Sequence, residues 1–117
     1  MDGLELYQEL DRKLRQLDAC IRELRQTGGA YAEAERDYQI EKSRVALDLK
    51  TQKMPVGLIT LVIKGVPSVA KLLFERISKE VIYKANQEAI MSLKLQIRII
   101  NDKINRDIGN PSIGSGA

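Results

Sequence analysis

Tyr7, Leu10, Leu14, Leu17, Ile21 and Leu24 follow one another at spacings of three, four, three, four and three residues, the a/d seam of a supercoiling helix. A helix with one apolar stripe and charged flanks cannot bury that stripe alone, so the fold must lay another long helix against it. The flanks agree: Glu9/Lys13, Asp11/Arg15 and Asp18/Arg22 stand acid-first four residues apart, the order that supports an exposed helix face. The spacing predicts a first helix over about residues 3–50. Its phase persists through Gly28, Tyr31, Glu35, Tyr38, Lys42, Val45 and Leu49. Glu35 and Lys42 occupy positions that call for apolar residues, which points to a change of face in this half.

Gly28 and Gly29 are the weak point, since two adjacent glycines cost about 2 kcal/mol against alanines within a helix. Either the helix ends at Gln26 and residues 30–53 return as a second helix, or the glycines stay helical and permit a bend or the close approach of a neighbour. No proline follows them and Tyr31 resumes the heptad phase, which favours the bent, continuous helix. Pro55 is a firmer boundary, because proline disfavours helical geometry at the residue before it. A short helix over 55–64 follows, with Ile59, Val62 and Ile63 on one face and Gly65 where a glycine cap belongs. Pro67 opens a last helix over 67–107, with apolar residues at Val69, Leu73, Ile77, Val81, Ala85, Ala89, Leu93, Ile97, Ile100, Ile104 and Ile108. Mostly spaced by four, they drift around the helix. Gly109-Asn110-Pro111 is expected to end it, leaving 111–117 as a flexible tail.

The expected fold is all-α: a long antiparallel helical hairpin, coiled-coil-like, with a short connecting helix, forming one domain over 1–110. With only Phe74 and four tyrosines as aromatics and no tryptophan, its core is aliphatic, as helical bundles prefer. One hairpin buries little, and stretches such as Leu72/Leu73/Phe74 and Ile97/Ile99/Ile100 are apolar on more than one stripe, so a homo-oligomer is expected. The single Cys20 suits packing in a reducing cytoplasm, and the acidic start Met1-Asp2-Gly3-Leu4-Glu5 lacks the apolar run of a secretory signal. The most apolar window, Met54 to Phe74, is interrupted by Pro55, Lys64, Pro67 and Lys71, and is read as buried rather than as a membrane span. No membrane partner is expected.

The chain contains no histidine, which removes the usual general base and the commonest zinc ligand, and its glycines form no phosphate-binding loop. A non-enzymatic protein without metal or cofactor is expected. Glu33, Asp37 and Glu41 recur at four-residue spacing on one stripe, a pattern able to imitate a phosphate backbone or hold Mg²⁺. A solvated face balanced by Arg36, Lys42 and Arg44 is the favoured reading. Residues 54–117 hold 9 Lys and Arg against 5 Asp and Glu, and Lys84, Lys94, Arg98, Lys103 and Arg106 are the candidates for contact with phosphates. Their spread around a helix again favours a solvated face. Tyr31 and Tyr38, one heptad apart on the seam, are expected in a core or interface rather than under stacked bases. Val56, Leu58, Ile59, Leu61, Val62 and Ile63 make the best candidate partner surface. The competing reading is a cap that buries Ile59, Val62 and Ile63 against the ends of the long helices.

The stretches Ala32-Glu33-Ala34-Glu35-Arg36-Asp37-Tyr38, Tyr83-Lys84-Ala85-Asn86-Gln87-Glu88-Ala89-Ile90 and Leu93-Lys94-Leu95-Gln96-Ile97-Arg98-Ile99-Ile100 look like small helical proteins encoded in the early regions of phages and prophages of Gram-positive bacteria. The similarity spans about residues 5–110 and carries over no functional residue. It implies a cytoplasmic product of the infected host cell, where such proteins inhibit host defence machinery or assist recombination and replication. The expectation that follows is a protein that binds and inhibits a host protein, a defence nuclease or effector complex. The alternatives are a nucleic-acid-associated accessory factor and a structural coiled-coil scaffold.

Overall fold

The computed structural model describes residues 2–108. Its elements are α1 (Gly3–Thr51), α2 (Val56–Val62), a 3-10 turn (Ile63–Gly65) and α3 (Pro67–Gly116), which is described as far as Ile108. No strand occurs among the described residues. The expected stop at 109–111 and the tail at 111–117 lie outside them.

α1 starts on a side-chain cap. Asp2 Oδ1 accepts the Glu5 N–H at 2.8 Å while the Asp2 carbonyl accepts the Leu6 N–H at 3.0 Å, which satisfies donors left over at a helix N-terminus. The helix then runs 49 residues without interruption at Gly28 and Gly29, as the heptad phase predicts. The two glycines differ in surroundings. A Cβ on Gly28 would stand 3.0 Å from Tyr83 Cε1, whereas one on Gly29 meets nothing within 4 Å. Gly29→Ala is therefore expected to raise stability by about 1 kcal/mol in urea titration, the propensity difference between the two residues. Gly28→Ala is expected to gain less, because the Tyr83 ring must give way. Equal gains at both sites would show that the ring does not rest on Gly28.

α1 ends in a Schellman motif. Lys53 N–H donates to the Lys50 carbonyl at 2.9 Å and Met54 N–H to the Leu49 carbonyl at 3.1 Å, with Lys53 left-handed at φ 65. The motif prefers glycine at that position, and no spacing signal marks the lysine that stands there. Pro55 follows as the N-cap of α2, at φ −61 and ψ 144, one position before the first turn in which the sequence places it. Gly65 is not the left-handed cap its position suggests: no described glycine has positive φ, and the 3-10 turn ends the element with Val66 N–H donating to the Ile63 carbonyl at 3.2 Å. Val66 is extended, as a residue before proline must be, and Pro67 begins α3 as expected.

The chain divides into two compact units, Arg25–Ala85 and Met1–Leu24 with Asn86–Ala117. The core of the first is Tyr38, Val45, Ile59, Ile63 and Val69, with Leu49, Met54, Leu72 and Leu73 packed around it. Partners on α3 descend in number as those on α1 ascend: Tyr31 meets Tyr83 and Glu80, and Glu35 meets Arg76. That order is what an antiparallel pairing requires. In the second unit Leu6, Ile100 and Ile104 form the cluster with Leu10 beside it. There Asn86, the one buried polar residue among those described, donates from Nδ2 to the Cys20 carbonyl at 3.0 Å.

Two sequence expectations about faces are corrected. Leu10, Leu17 and Leu24 turn inward, but Leu6, Lys13 and Cys20 take the positions expected for Tyr7, Leu14 and Ile21. The seven-residue period is kept, since both the inward and the outward sets repeat every seven residues, but the packed face is centred on Leu10, Leu17 and Leu24 and turned toward the Leu6 side, which leaves the Tyr7 edge in solvent. On α3, Ile77, Val81 and Ala85 are exposed, and Arg76, Glu80 and Tyr83 face α1 instead.

Candidate functional site

Three surfaces hold the residues singled out by the sequence. On α1, Tyr7, Leu14 and Ile21 remain 52%, 44% and 47% exposed, one open apolar side chain every seven residues. Arg15 and Arg22 follow the last two directly, and Arg15 pairs with Asp11 at 2.8 Å. On α3 of the same unit, Met91, Leu95 and Ile99 form a second open row at four-residue spacing.

The α2 end of the Arg25–Ala85 unit combines both sequence readings. Ile59 and Ile63 are buried in the unit's core, so they belong to a cap and not to a partner surface, correcting that part of the assignment. Val56, Leu58, Leu61 and Val62 stay open at 67%, 43%, 78% and 37% exposure. Residues 49–74 contain Lys50, Lys53, Lys64 and Lys71 and no Asp or Glu. All four lysines are exposed, and among the described residues none enters an ion pair. A cleft of about 620 Å³ opens between α1 and α2, lined by Lys42, Lys50 and Lys64 together with Leu47, Val56 and Ile63.

The Arg25–Ala85 unit also holds a polar belt that periodicity alone does not find. Tyr31 Oη donates to Glu80 Oε2 at 2.6 Å, Arg76 Nη1 donates to Glu35 Oε2 at 3.0 Å, and Gln39 Nε2 donates to Glu35 Oε1 at 2.9 Å. The rings of Tyr31 and Tyr83 lie 5.8 Å apart, and Lys42 and Arg76 each sit 5.6 Å from the centroid of Tyr38. The hydrogen bonds move the titrations as expected for charge-stabilising contacts. Gln39 and Arg76 hold the Glu35 carboxyl below its ordinary range, the Tyr31 hydroxyl does the same for Glu80, and Glu80 in turn pushes the Tyr31 phenol up. Glu35 and Lys42 at heptad core positions were the legible trace of this belt.

The acidic stripe is paired rather than open. Arg36 lies 3.7 Å from Glu33 and 3.1 Å from Asp37. Glu41 accepts from Arg44 Nε at 2.6 Å and from Nη2 at 2.9 Å. Those bonds, with a further one from Ser68, pull the Glu41 carboxyl down to about 2. No group of three or more potential ligands is arranged for a metal ion among the described residues. Lys84, Lys94, Arg98, Lys103 and Arg106 are all exposed, with Lys84 3.9 Å from Glu80 and with Glu88 and Asp102 interleaved among them. No single described helix is long and apolar enough to cross a membrane.

No family model, curated protein or solved structure matches the chain.

Proposed function

We propose that this is a non-enzymatic docking protein of phage type. Its α1 stripe of Tyr7, Leu14 and Ile21 lies against a helix of a host protein and inhibits that protein by occlusion. A defence nuclease or effector complex of the host cytoplasm is the target class. The supporting observation is the heptad spacing of three half-open apolar side chains on a helix whose opposite edge is already packed. A seven-residue repeat suits the seam of a second helix. Burying the open halves adds about 1 kcal/mol per side chain, and tyrosine and arginine are the residues that most often anchor protein interfaces. The open row Met91, Leu95 and Ile99 gives copies of the chain a separate surface for self-association.

The test is native mass spectrometry of the tagged chain isolated from expressing host cells at physiological salt, beside a Tyr7→Ser/Leu14→Ser/Ile21→Ser variant. A stoichiometric host partner, present with the natural chain and lost from a variant of unchanged helicity, is the expected result. Isolation of the chain with no host protein, or a partner that the variant retains, would overturn the reading. A nucleic-acid accessory role for Lys84, Lys94, Arg98, Lys103 and Arg106 draws support from their common exposure. It requires affinity that falls steeply with salt, by about 0.9 logarithmic units per neutralised phosphate for each tenfold rise in salt concentration.

A further inference from the structure

We propose that the α2 end of the Arg25–Ala85 unit docks peripherally on an anionic lipid bilayer, a surface distinct from the α1 stripe and independent of the host target. Val56, Leu58, Leu61 and Val62 are open at this end while Ile59 and Ile63 anchor the element from beneath. α2 thus presents aliphatic side chains on a seat that is already packed. Along the chain the segment carries charge of one sign, Lys50, Lys53, Lys64 and Lys71 with no carboxylate between residues 49 and 74, while the neighbouring Asp48 and Glu41 are paired with Arg44.

The composition separates a bilayer from an acidic protein as the occupant. Residues 49–74 contain no Trp, Tyr or Arg and a single Phe, the exposed Phe74, whereas protein interfaces draw their strongest contacts from Trp, Tyr and Arg and are poor in lysine. Leucine and valine enter the acyl boundary without needing a shaped pocket. Lysine suits the same boundary, because its alkyl stem lies along apolar surface while the ammonium stays among headgroup phosphates.

Each lysine near an anionic surface contributes about 1 kcal/mol, or about fivefold in partitioning. The chain is expected to co-sediment with vesicles of phosphatidylglycerol and phosphatidylcholine in equal parts and to stay in the supernatant with phosphatidylcholine alone. Lys50→Gln/Lys64→Gln should weaken binding about 25-fold. Leu61→Asp, at the most exposed aliphatic position of the tip, should abolish it while circular dichroism stays unchanged. Absence of binding to vesicles of pure phosphatidylglycerol would overturn the proposal. So would variants that bind like the natural chain, or equal affinity for soluble polyglutamate, which offers negative charge without an apolar phase. The Tyr7→Ser/Leu14→Ser/Ile21→Ser variant should bind vesicles normally, so the lipid contact and the host-protein contact succeed or fail separately.

Discussion

Val69→Asp is expected to remove the cooperative unfolding transition of the Arg25–Ala85 unit, while Leu61→Asp, eight positions earlier, leaves stability within about 0.5 kcal/mol. Val69 is the one described large side chain with no residual exposure, and it closes the cluster of Tyr38, Val45, Ile59 and Ile63. An aspartate there replaces an apolar side chain among Tyr38, Val45, Ile59 and Ile63 while Lys42 and Arg76 are held over the Tyr38 ring, and a buried carboxylate costs about 4 kcal/mol, a large share of what a small domain has in total. Val69→Ala measures the milder form of the same effect. Losing two methyl groups at about 0.8 kcal/mol each, plus the cavity they leave, predicts a cost of about 2 kcal/mol in urea titration. A natural-like transition for Val69→Asp would mean that the cap formed by α2 and the 3-10 turn does not close over α1 and α3.

The division between what the residues announce and what they conceal follows from helix geometry. Seam positions Leu10, Leu17 and Leu24 are legible because a position near the middle of an apolar stripe stays inward whichever way the packed face is turned. Tyr7, Leu14 and Ile21 lie at the edge, where a few tens of degrees decide between core and solvent. Pro55 and Pro67 mark both boundaries of the α2 segment, since proline acts on its own backbone and on the residue before it regardless of packing. The end of α1 is less legible, because Lys53 accepts a left-handed conformation that ordinarily identifies itself through glycine.

The same geometry explains the candidate surfaces. Ile59 and Ile63 are indistinguishable in composition from Val56, Leu58, Leu61 and Val62, yet only the first two are buried. A seven-residue helix is too short for periodicity to set its facing, and the choice is made by the long helices beneath it. The polar belt was hidden for the opposite reason. Ile77 and Val81 offer a better apolar stripe than Arg76, Glu80 and Tyr83, but Glu35 and Tyr31 across the interface select the polar set by hydrogen bonding. Pairing of that kind depends on two segments about 45 residues apart, so it is visible in neither segment alone.

Tyr38 is where the aliphatic cap and the polar belt meet, and its replacement separates their contributions. Tyr38→Ala is expected to cost about 3–5 kcal/mol, the range for truncating a buried aromatic ring, because the ring contacts the cluster of Val45, Ile59, Ile63 and Val69 and carries Lys42 and Arg76 over its face. Tyr38→Phe keeps the ring and both cations and should stay within about 1 kcal/mol of the natural chain. Tyr38→Leu restores much of the apolar volume but offers the cations no π-face, so its stability should fall between the other two. Urea titrations at constant m-value read the series directly. The order phenylalanine, leucine, alanine places the ring itself at the junction. A phenylalanine variant as unstable as alanine would shift the burden to the hydroxyl, and a leucine variant equal to phenylalanine would leave the two cations without energetic weight.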